Sequence, residues 1–206
     1  MKQPLDADGF ARATAATPQQ VERLSAYLEL LNRWQRRINL VGAATLIDPW
    51  RRHFLDSAQL VPLLPAATRH LVDLGSGAGF PGMVVALLAD IDVTLVEADA
   101  RKCAFLSEVA RLTQAAVRIL PQRIEAAPQP RADVVTARAL SPLSKLLDYA
   151  VPWLAAGGVC LFPKGRSAAI ELTEAAKTWK MRTATIPSRS DPDAMILRID
   201  EISKHR

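Results

Sequence analysis

Apolar residues recur along this chain with two different periods. Between Val21 and Ile38 the spacing is helical: Val21, Leu24, Leu28, Leu31 and Ile38, with Tyr27 and Trp34 beside them. This predicts a long helix with a core-facing stripe. Thr17-Pro18-Gln19-Gln20 marks its start. Thr17 can cap, Pro18 suits the first helical position, and Gln20 completes a capping box. The opposite face carries Arg33, Arg36 and Arg37. Asp48-Pro49 starts a second helix by the same logic, running through Trp50 to Ser57 and stopped by Pro62 and Pro65. Residues 1–16 show no firm period and read as a loose arm or a short helix.

From residue 70 the pattern changes to short apolar runs alternating with helical stretches. Leu71–Leu74, Asp92–Glu97, Ala116–Leu120, Ala132–Arg138 and Val159–Phe162 read as strands, the last entered through Gly157-Gly158 and left through Pro163-Lys164-Gly165. Met83–Ala89, Arg101–Leu112, a segment capped by Ser141-Pro142 and running to Val151, and Ala168–Trp179 read as helices. In the second of these Phe105, Leu106, Val109 and Leu112 share a face. Two late strands near 181–186 and 195–200 form a terminal hairpin. Alternation of strands and helices followed by a hairpin predicts an α/β fold with a mainly parallel seven-stranded sheet and an antiparallel edge. Residues 1–66 form an N-terminal helical cap on a domain spanning 67–206, the two making one compact unit.

The first strand breaks into a glycine turn, Asp73-Leu-Gly75-Ser-Gly77-Ala-Gly79-Phe80-Pro-Gly82. Strand, glycine turn and helix together make the first unit of a nucleotide-binding fold. The glycines admit backbone amides close to a ligand, and the next helix offers free N–H groups. A dinucleotide fingerprint would need Gly at position 80, where Phe80 stands. The order apolar-Asp-apolar-Gly-x-Gly-x-Gly is instead the one used by Rossmann-like class I binders of S-adenosylmethionine (SAM), with Asp73 two residues ahead of Gly75. Glu97 ends the second strand roughly 20 residues on, where a carboxylate can grip ribose hydroxyls. Gln122-Arg123-Ile124-Glu125 follows the third strand, in the loop that holds the adenine in this class.

Composition narrows the setting. The chain has 206 residues, half of them hydrophobic and 23% charged, which is globular and not disordered. No apolar run reaches the roughly 18 residues a membrane span needs. The N-terminus lacks a signal-peptide pattern, and two cysteines, Cys103 and Cys160, fit free thiols in a reducing cytoplasm. No Cys/His spacing suits a metal. A net charge of +5 favours a polyanionic partner, and Arg33, Arg36, Arg37, Arg51 and Arg52 of the cap are positioned either to hold phosphates or to form a solvated basic face.

No nucleophile, metal cluster or acid–base pair converges on the carboxyl ends of the strands, and methyl transfer requires none, because holding the reactants in line supplies much of the acceleration. The fourth strand ends in Thr-Ala-Arg-Ala-Leu-Ser-Pro, unlike the loop of exocyclic-amine methylases, and neither cysteine sits in the Pro-Cys loop of C5-pyrimidine methylases. An acceptor with a lone pair and no proton to lose fits by elimination, and guanine N7 is one. Arg138 and Lys164 are the candidate catalytic cations. For Arg138 the competing reading is an ion pair with Asp133, Asp148 or Glu125. For Lys164 the choice is between RNA contact and a plain strand-end position.

These residues resemble the bacterial 16S ribosomal RNA guanine-N7 methyltransferase family (RsmG/GidB) over about Val21 to Gly165. The specific pieces are Leu31-Asn-Arg-Trp-Gln-Arg-Arg-Ile-Asn-Leu-Val41, Arg52-His53-Phe-Leu-Asp56-Ser57, Asp73 to Gly82, Arg123-Ile-Glu125, Ala137-Arg138-Ala139 and Lys164-Gly165. The resemblance implies SAM-dependent N7 methylation of one guanine in the decoding region of small-subunit rRNA, on naked 16S rRNA or a ribosomal particle, with S-adenosylhomocysteine as product. It implies that Gly75, Phe80, Ile124, Glu125 and Arg138 line the SAM site, and that loss of function confers low-level streptomycin resistance. The cofactor set is then Asp73, Gly75, Gly77, Gly79, Phe80, Glu97, Ile124, Glu125 and Arg138. The RNA-facing set is Arg33, Arg36, Arg37, Arg51, Arg52, His53, Arg123 and Lys164. His53 and Asp56 match a family signature and equally suit a role in fixing the cap to the sheet. Two positions depart from the family: Ala98 replaces a Ser, and Ala194-Met195 stand where an Arg precedes the last strand, leaving Arg189 or Arg198 as substitutes. Nothing in the sequence demands more than a monomer. A SAM enzyme acting on a small molecule or protein, and an RNA-binding protein that keeps the fold without catalysis, remain open beside this reading. An NAD(P)-dependent oxidoreductase is disfavoured by Phe80.

Overall fold

The computed structural model describes residues 3–205. The N-terminal segment folds as a helix, α1 (Ala7–Thr14), capped by Asp6, whose carboxylate accepts from Gly9 N at 2.7 Å. Phe10 is fully buried, so the segment is part of the core and not a loose arm. α2 (Pro18–Gln35) begins on the expected capping box: Thr17 Oγ1 accepts from Gln20 N at 3.2 Å and Gln20 Oε1 accepts from Thr17 N at 2.9 Å. It ends before Ile38. The second cap helix starts after Asp48 but is not a plain α-helix. Trp50–Leu55 form a wide turn in which Asp56 N donates to Arg51 O, five residues back, before the short α3 (Asp56–Ala58). Such widened turns expose side chains at unusual angles and recur at functional sites.

The sheet contains β1 (His70–Leu74), β2 (Asp92–Val96), β3 (Val117–Leu120), β4 (Ala132–Thr136), β5 (Leu154–Lys164), β6 (Trp179–Pro187) and β7 (Met195–Lys204). Their order is β3-β2-β1-β4-β5-β7-β6, with β7 antiparallel to both of its neighbours. The expected mainly parallel seven-stranded sheet with an antiparallel edge is present. The helices α4 (Gly82–Leu88), α5 (Ala100–Thr113), α6 (Leu143–Ala150) and α7 (Ala168–Ala175) connect the strands.

Alternation along each strand splits the core in two. Leu71, Val134 and Leu161 face one cluster, which also holds Phe10, Leu24, Tyr27, Leu31 and Phe54 of the cap with Met83, Phe105 and Val109 of α4 and α5. Val72, Val135 and Phe162 face the other, with Leu143, Leu146, Leu147, Trp153 and Trp179. The cap therefore covers one sheet face as a layer of the same core.

Several local expectations are corrected. β5 begins at Leu154, and residues 155–158, including Gly157-Gly158, form an excursion between two pairing points, Ala132 with Leu154 and Val134 with Val159. α7 stops at Ala175, and Trp179 starts β6, because its ring is buried against α6 with its Nε1 donating to Ser144 O at 3.2 Å. Leu112 is 41% exposed, outside the packed face of α5. Ser141 does not cap α6; the N-terminal Leu143 N donates instead to Glu171 Oε2 at 2.9 Å.

Candidate functional site

The site lies at the carboxyl ends of β1, β4 and β5, as parallel sheets of this kind require. After β1 the chain turns through Gly75, Gly77 and Gly79 at φ of +65°, +56° and +91°. At Gly79 a Cβ would fall 2.7 Å from Tyr27 Oη, so cap and turn are in close contact there, and the Tyr27 hydroxyl donates to Ala78 O. Glu97, just past β2, is buried and accepts from Gly77 N at 2.8 Å through Oε2 and from Asp99 N at 2.8 Å through Oε1. Each oxygen keeps a lone pair for a further donor. Asp73 is fully buried. Its Oδ2 accepts from Gly82 N at 3.3 Å, and its Oδ1 has no partner among the described residues. Burial pushes the Asp73 carboxyl up to about 7, against the pull of its Ser76 and Gly82 hydrogen bonds and of Arg138.

A cavity of about 660 Å³ opens beside this turn. The glycine turn and Phe80 form one wall, Leu40 to Thr45 and His53 of the cap another, residues 138–142 a third, and the Lys164 end of β5 with the 188–195 hairpin loop closes it. Phe80 is the hub of the cap wall. It stacks on Tyr27 with centroids 5.3 Å apart and on His53 at 4.9 Å, and the Arg138 guanidinium lies over its ring at 5.1 Å.

Three ion pairs ring the cavity, and they account for its three guanidinium and ammonium groups. Arg138 pairs with Asp56 at 3.1 Å, Arg52 with Asp191 at 2.5 Å, and Lys164 with Glu171 at 2.8 Å. The partner of Arg138 is thus none of the three acids expected: Asp133 accepts from Arg69 N and His70 N, Asp148 pairs with Lys204, and Glu125 is exposed elsewhere. Asp56 is also bonded by Ser190 Oγ at 2.6 Å and Gln59 Nε2 at 3.2 Å, tying the cap to the C-terminal hairpin.

His53, which the sequence places in the RNA-facing set, is a buried ring in the cavity wall. Its Nδ1 lies 3.1 Å from Arg138 Nη2 and its Nε2 lies 2.7 Å from Thr45 Oγ1, which itself donates to Gly42 O. Arg138 can only donate, so Nδ1 accepts and Nε2 carries the proton. Burial, then Arg138 and Arg52, hold its pKa down to about 3.

Other predicted site residues are dispersed. Glu97, Ile124 and Glu125 do not line the cavity; Ile124 packs partly on the second core cluster and Glu125 is exposed. Arg123 is exposed in the same loop. Arg51 is held by Asp48 at 2.7 Å and by Gln3 O at 2.8 Å. Arg33, Arg36 and Arg37 line a separate depression. In the hairpin, Arg189 donates to Ala13 O and Arg198 to Leu63 O, while Ala194 and Met195 line the cavity. Sequence reading missed Thr45, Gln59 and Ser190, which lie far from the glycine motif and join it only in the fold. Among the described residues no group of three or more His, Cys, Asp or Glu is placed to hold a metal ion.

This geometry agrees with comparisons to known proteins. The family model described as rRNA small subunit methyltransferase G (GidB) matches residues 20–193. The chain is 55% identical over 197 residues to the ribosomal RNA small subunit methyltransferase G of Rhodospirillum rubrum, covering 96% of this chain and 98% of that protein. Among solved structures, the ribosomal protein L11 methylase of Lactobacillus delbrueckii subsp. bulgaricus superposes with a TM-score of 0.57 at 16% identity, over 70% of this chain and 77% of that one. M. jannaschii TYW2 in complex with AdoMet gives 0.52 at 15% identity, over 73% and 77%. At these identities the structures share the fold, that of class I methyltransferases, whereas the sequence match extends through the glycine turn, the Arg52–Ser57 block and the strand-end cations alike. On that match the chain belongs to the rRNA small subunit methyltransferase G family.

Proposed function

We propose that this protein transfers the methyl group of SAM to N7 of one guanine in the decoding region of 16S rRNA. The observation that carries the reading is the left-handed glycine turn clasped by Glu97 through Gly77 N, opening directly onto a cavity wide enough for a nucleobase. The chain fits the cofactor. Glu97 keeps an acceptor on each oxygen for a vicinal diol, and Asp73 Oδ1 is a buried acceptor awaiting a donor. Gly75, Gly77, Gly79, Phe80, Ile124, Glu125 and Arg138 complete the set that would hold it. Bound SAM supplies a methyl group on a positively charged sulfur leaving group.

The chain's own residues then have a positioning task. Guanine N7 has a lone pair and no proton, so no general base is needed. Phe80, fixed by Tyr27 and His53, is a flat apolar wall against which a base can be held in line with the methyl group. Arg138 and Lys164 line the same cavity, each neutralised by its acid, which keeps strong uncompensated positive charge away from a guanine that becomes cationic as it is methylated.

We read the enzyme as acting as a monomer on 16S rRNA or a small-subunit particle in the cytoplasm. No described helix is long and apolar enough to cross a membrane. Residues 1–66 and 67–206 share one core, and we infer that neither is stable alone.

Tritiated methyl transfer from SAM to small-subunit particles lacking the modification tests the reading, with nuclease mapping of the product. Label in one 7-methylguanosine, lost in Glu97→Ala and Arg138→Ala, is expected. Tight SAM binding without label in rRNA would overturn the substrate assignment and bring a small-molecule or protein acceptor forward.

A further inference from the structure

A second depression, of about 640 Å³, lies between the C-terminal end of α2 and the N-terminal end of α5, and shares no lining residue with the cavity. Its apolar lining is Leu30, Trp34, Ile38 and Ala104; its cationic lining, all exposed, is Arg33, Arg36, Arg37 and Arg101. Unlike the cations of the cavity, Arg33, Arg36 and Arg37 form no ion pair with any described residue. Arg101 has only an exposed contact with Asp99 at 3.4 Å. The one acid in the lining, Glu108, is bonded to Trp34 Nε1 at 2.8 Å. That bond and edge packing on Phe105 at 5.7 Å fix the indole in place.

A fixed aromatic surface rimmed by unpaired arginines is the arrangement that binds single-stranded nucleic acid. Phosphates meet the guanidinium groups and a base stacks on the ring. A duplex would offer phosphates but no base to stack. The depression also lies close to the cavity along the chain. Ile38 lines the first and Leu40 the second, and two residues of chain span at most about 7 Å.

Resting on the RNA reading above, we propose that this depression holds the single-stranded RNA segment beside the target guanine, with phosphates on Arg33, Arg36 and Arg37 and one base stacked on Trp34. The site would align the strand before its guanine enters the cavity.

The chain has four tryptophans, and Trp50, Trp153 and Trp179 are buried. Trp34 is the partly exposed one, so its emission reports stacking directly. The test titrates the full chain with a mixed-sequence oligoribonucleotide of about ten nucleotides. Quenching is expected in the wild type and absent in Trp34→Phe, while Trp34→Phe still binds in a filter assay. Replacing Arg33, Arg36 and Arg37 together by Ala should flatten the slope of log affinity against log salt by about 2, at about 0.7 per lost phosphate contact. SAM affinity, measured by calorimetry without RNA, should be unchanged in both variants. Quenching that survives Trp34→Phe, or a triple variant with the wild-type salt slope, overturns the proposal. If either occurs while small-subunit particles are still methylated, the depression loses its role and the parent reading stands; if particles are not methylated and the oligonucleotide is not bound, both fall.

Discussion

Asp56 and Arg138 meet at 3.1 Å although 82 residues separate them. The acid stands where the widened cap turn passes into α3, and the base follows the end of β4. Around the pair, Arg138 also touches His53 Nδ1 and donates to Arg52 O at 3.2 Å, and Asp56 collects Ser190 and Gln59. One carboxylate thus joins the cap, the sheet edge and the C-terminal hairpin around the cavity.

Asp56→Asn keeps the shape and removes the counter-charge. Arg138, whose side chain is 20% exposed, is then left largely desolvated without its acid. Because the pair is not fully buried, a loss of about 1–3 kcal/mol is expected, below the range for deeply buried pairs. Urea unfolding should show a lower midpoint with an unchanged slope, accompanied by loss of methyl transfer.

His53 gives a pH signature. Its folded pKa of about 3 lies below the ordinary 6.5, so between those values the unfolded chain binds the extra proton and folding weakens as pH falls. From pH 7 to pH 5 this amounts to about 2 kcal/mol. His53→Gln removes that loss, and its stability relative to the wild type should therefore improve on acidification over this range. An activity profile carrying a step near pH 6.5 that His53→Gln abolishes would contradict a neutral, structural ring.

Asp73 acts in the opposite direction. Its folded pKa of about 7 lies above the ordinary 3.8, so the folded chain holds the proton and stability falls as pH rises from about 4 through 7. From pH 7 to pH 5 about 2 kcal/mol is regained, opposite in sign to the His53 term. Asp73→Asn should therefore lose stability relative to the wild type on acidification over this range. At pH 8 Asp73→Asn should be the more stable protein without ligand and the poorer binder of SAM by calorimetry.

The glycine turn can be dissected by two alanines. Both Gly77 and Gly79 have left-handed φ, which costs a side chain roughly 1–2 kcal/mol. At Gly77 the added Cβ meets nothing nearer than Gly75 O at 3.8 Å, whereas at Gly79 it meets Tyr27 Oη at 2.7 Å and Met83 Cβ at 3.0 Å. Gly79→Ala should therefore lower the melting temperature well beyond Gly77→Ala and abolish SAM binding. Equal shifts would mean that the contact with Tyr27 is not rigid.

Sequence alone determined the elements and their type. Thr17-Pro18 with Gln20, the alternating apolar runs and the glycine turn are signals set by neighbours a few residues apart, and they fixed the α2 start, the strand order class and the cofactor edge. It also identified His53 and Asp56 as belonging to one motif. Local signals failed where a distant partner decided the outcome. The α6 N-terminus is satisfied by Glu171 rather than by the adjacent Ser141, Trp179 is drawn into β6 by burial against α6, and between the two readings of the N-terminal stretch the core decides for a helix over Ala7–Thr14, because Phe10 has a place to enter. The charges show the same division. The sequence placed Arg52 in the cap and Arg138 and Lys164 at strand ends without identifying their acids, because a cation's partner is whichever acid the fold brings within a few ångströms, and here the acids come from 7 to 139 residues away. Tertiary structure alone decided that these three are paired around the cavity while Arg33, Arg36 and Arg37, beside Trp34, form no ion pair with any described residue.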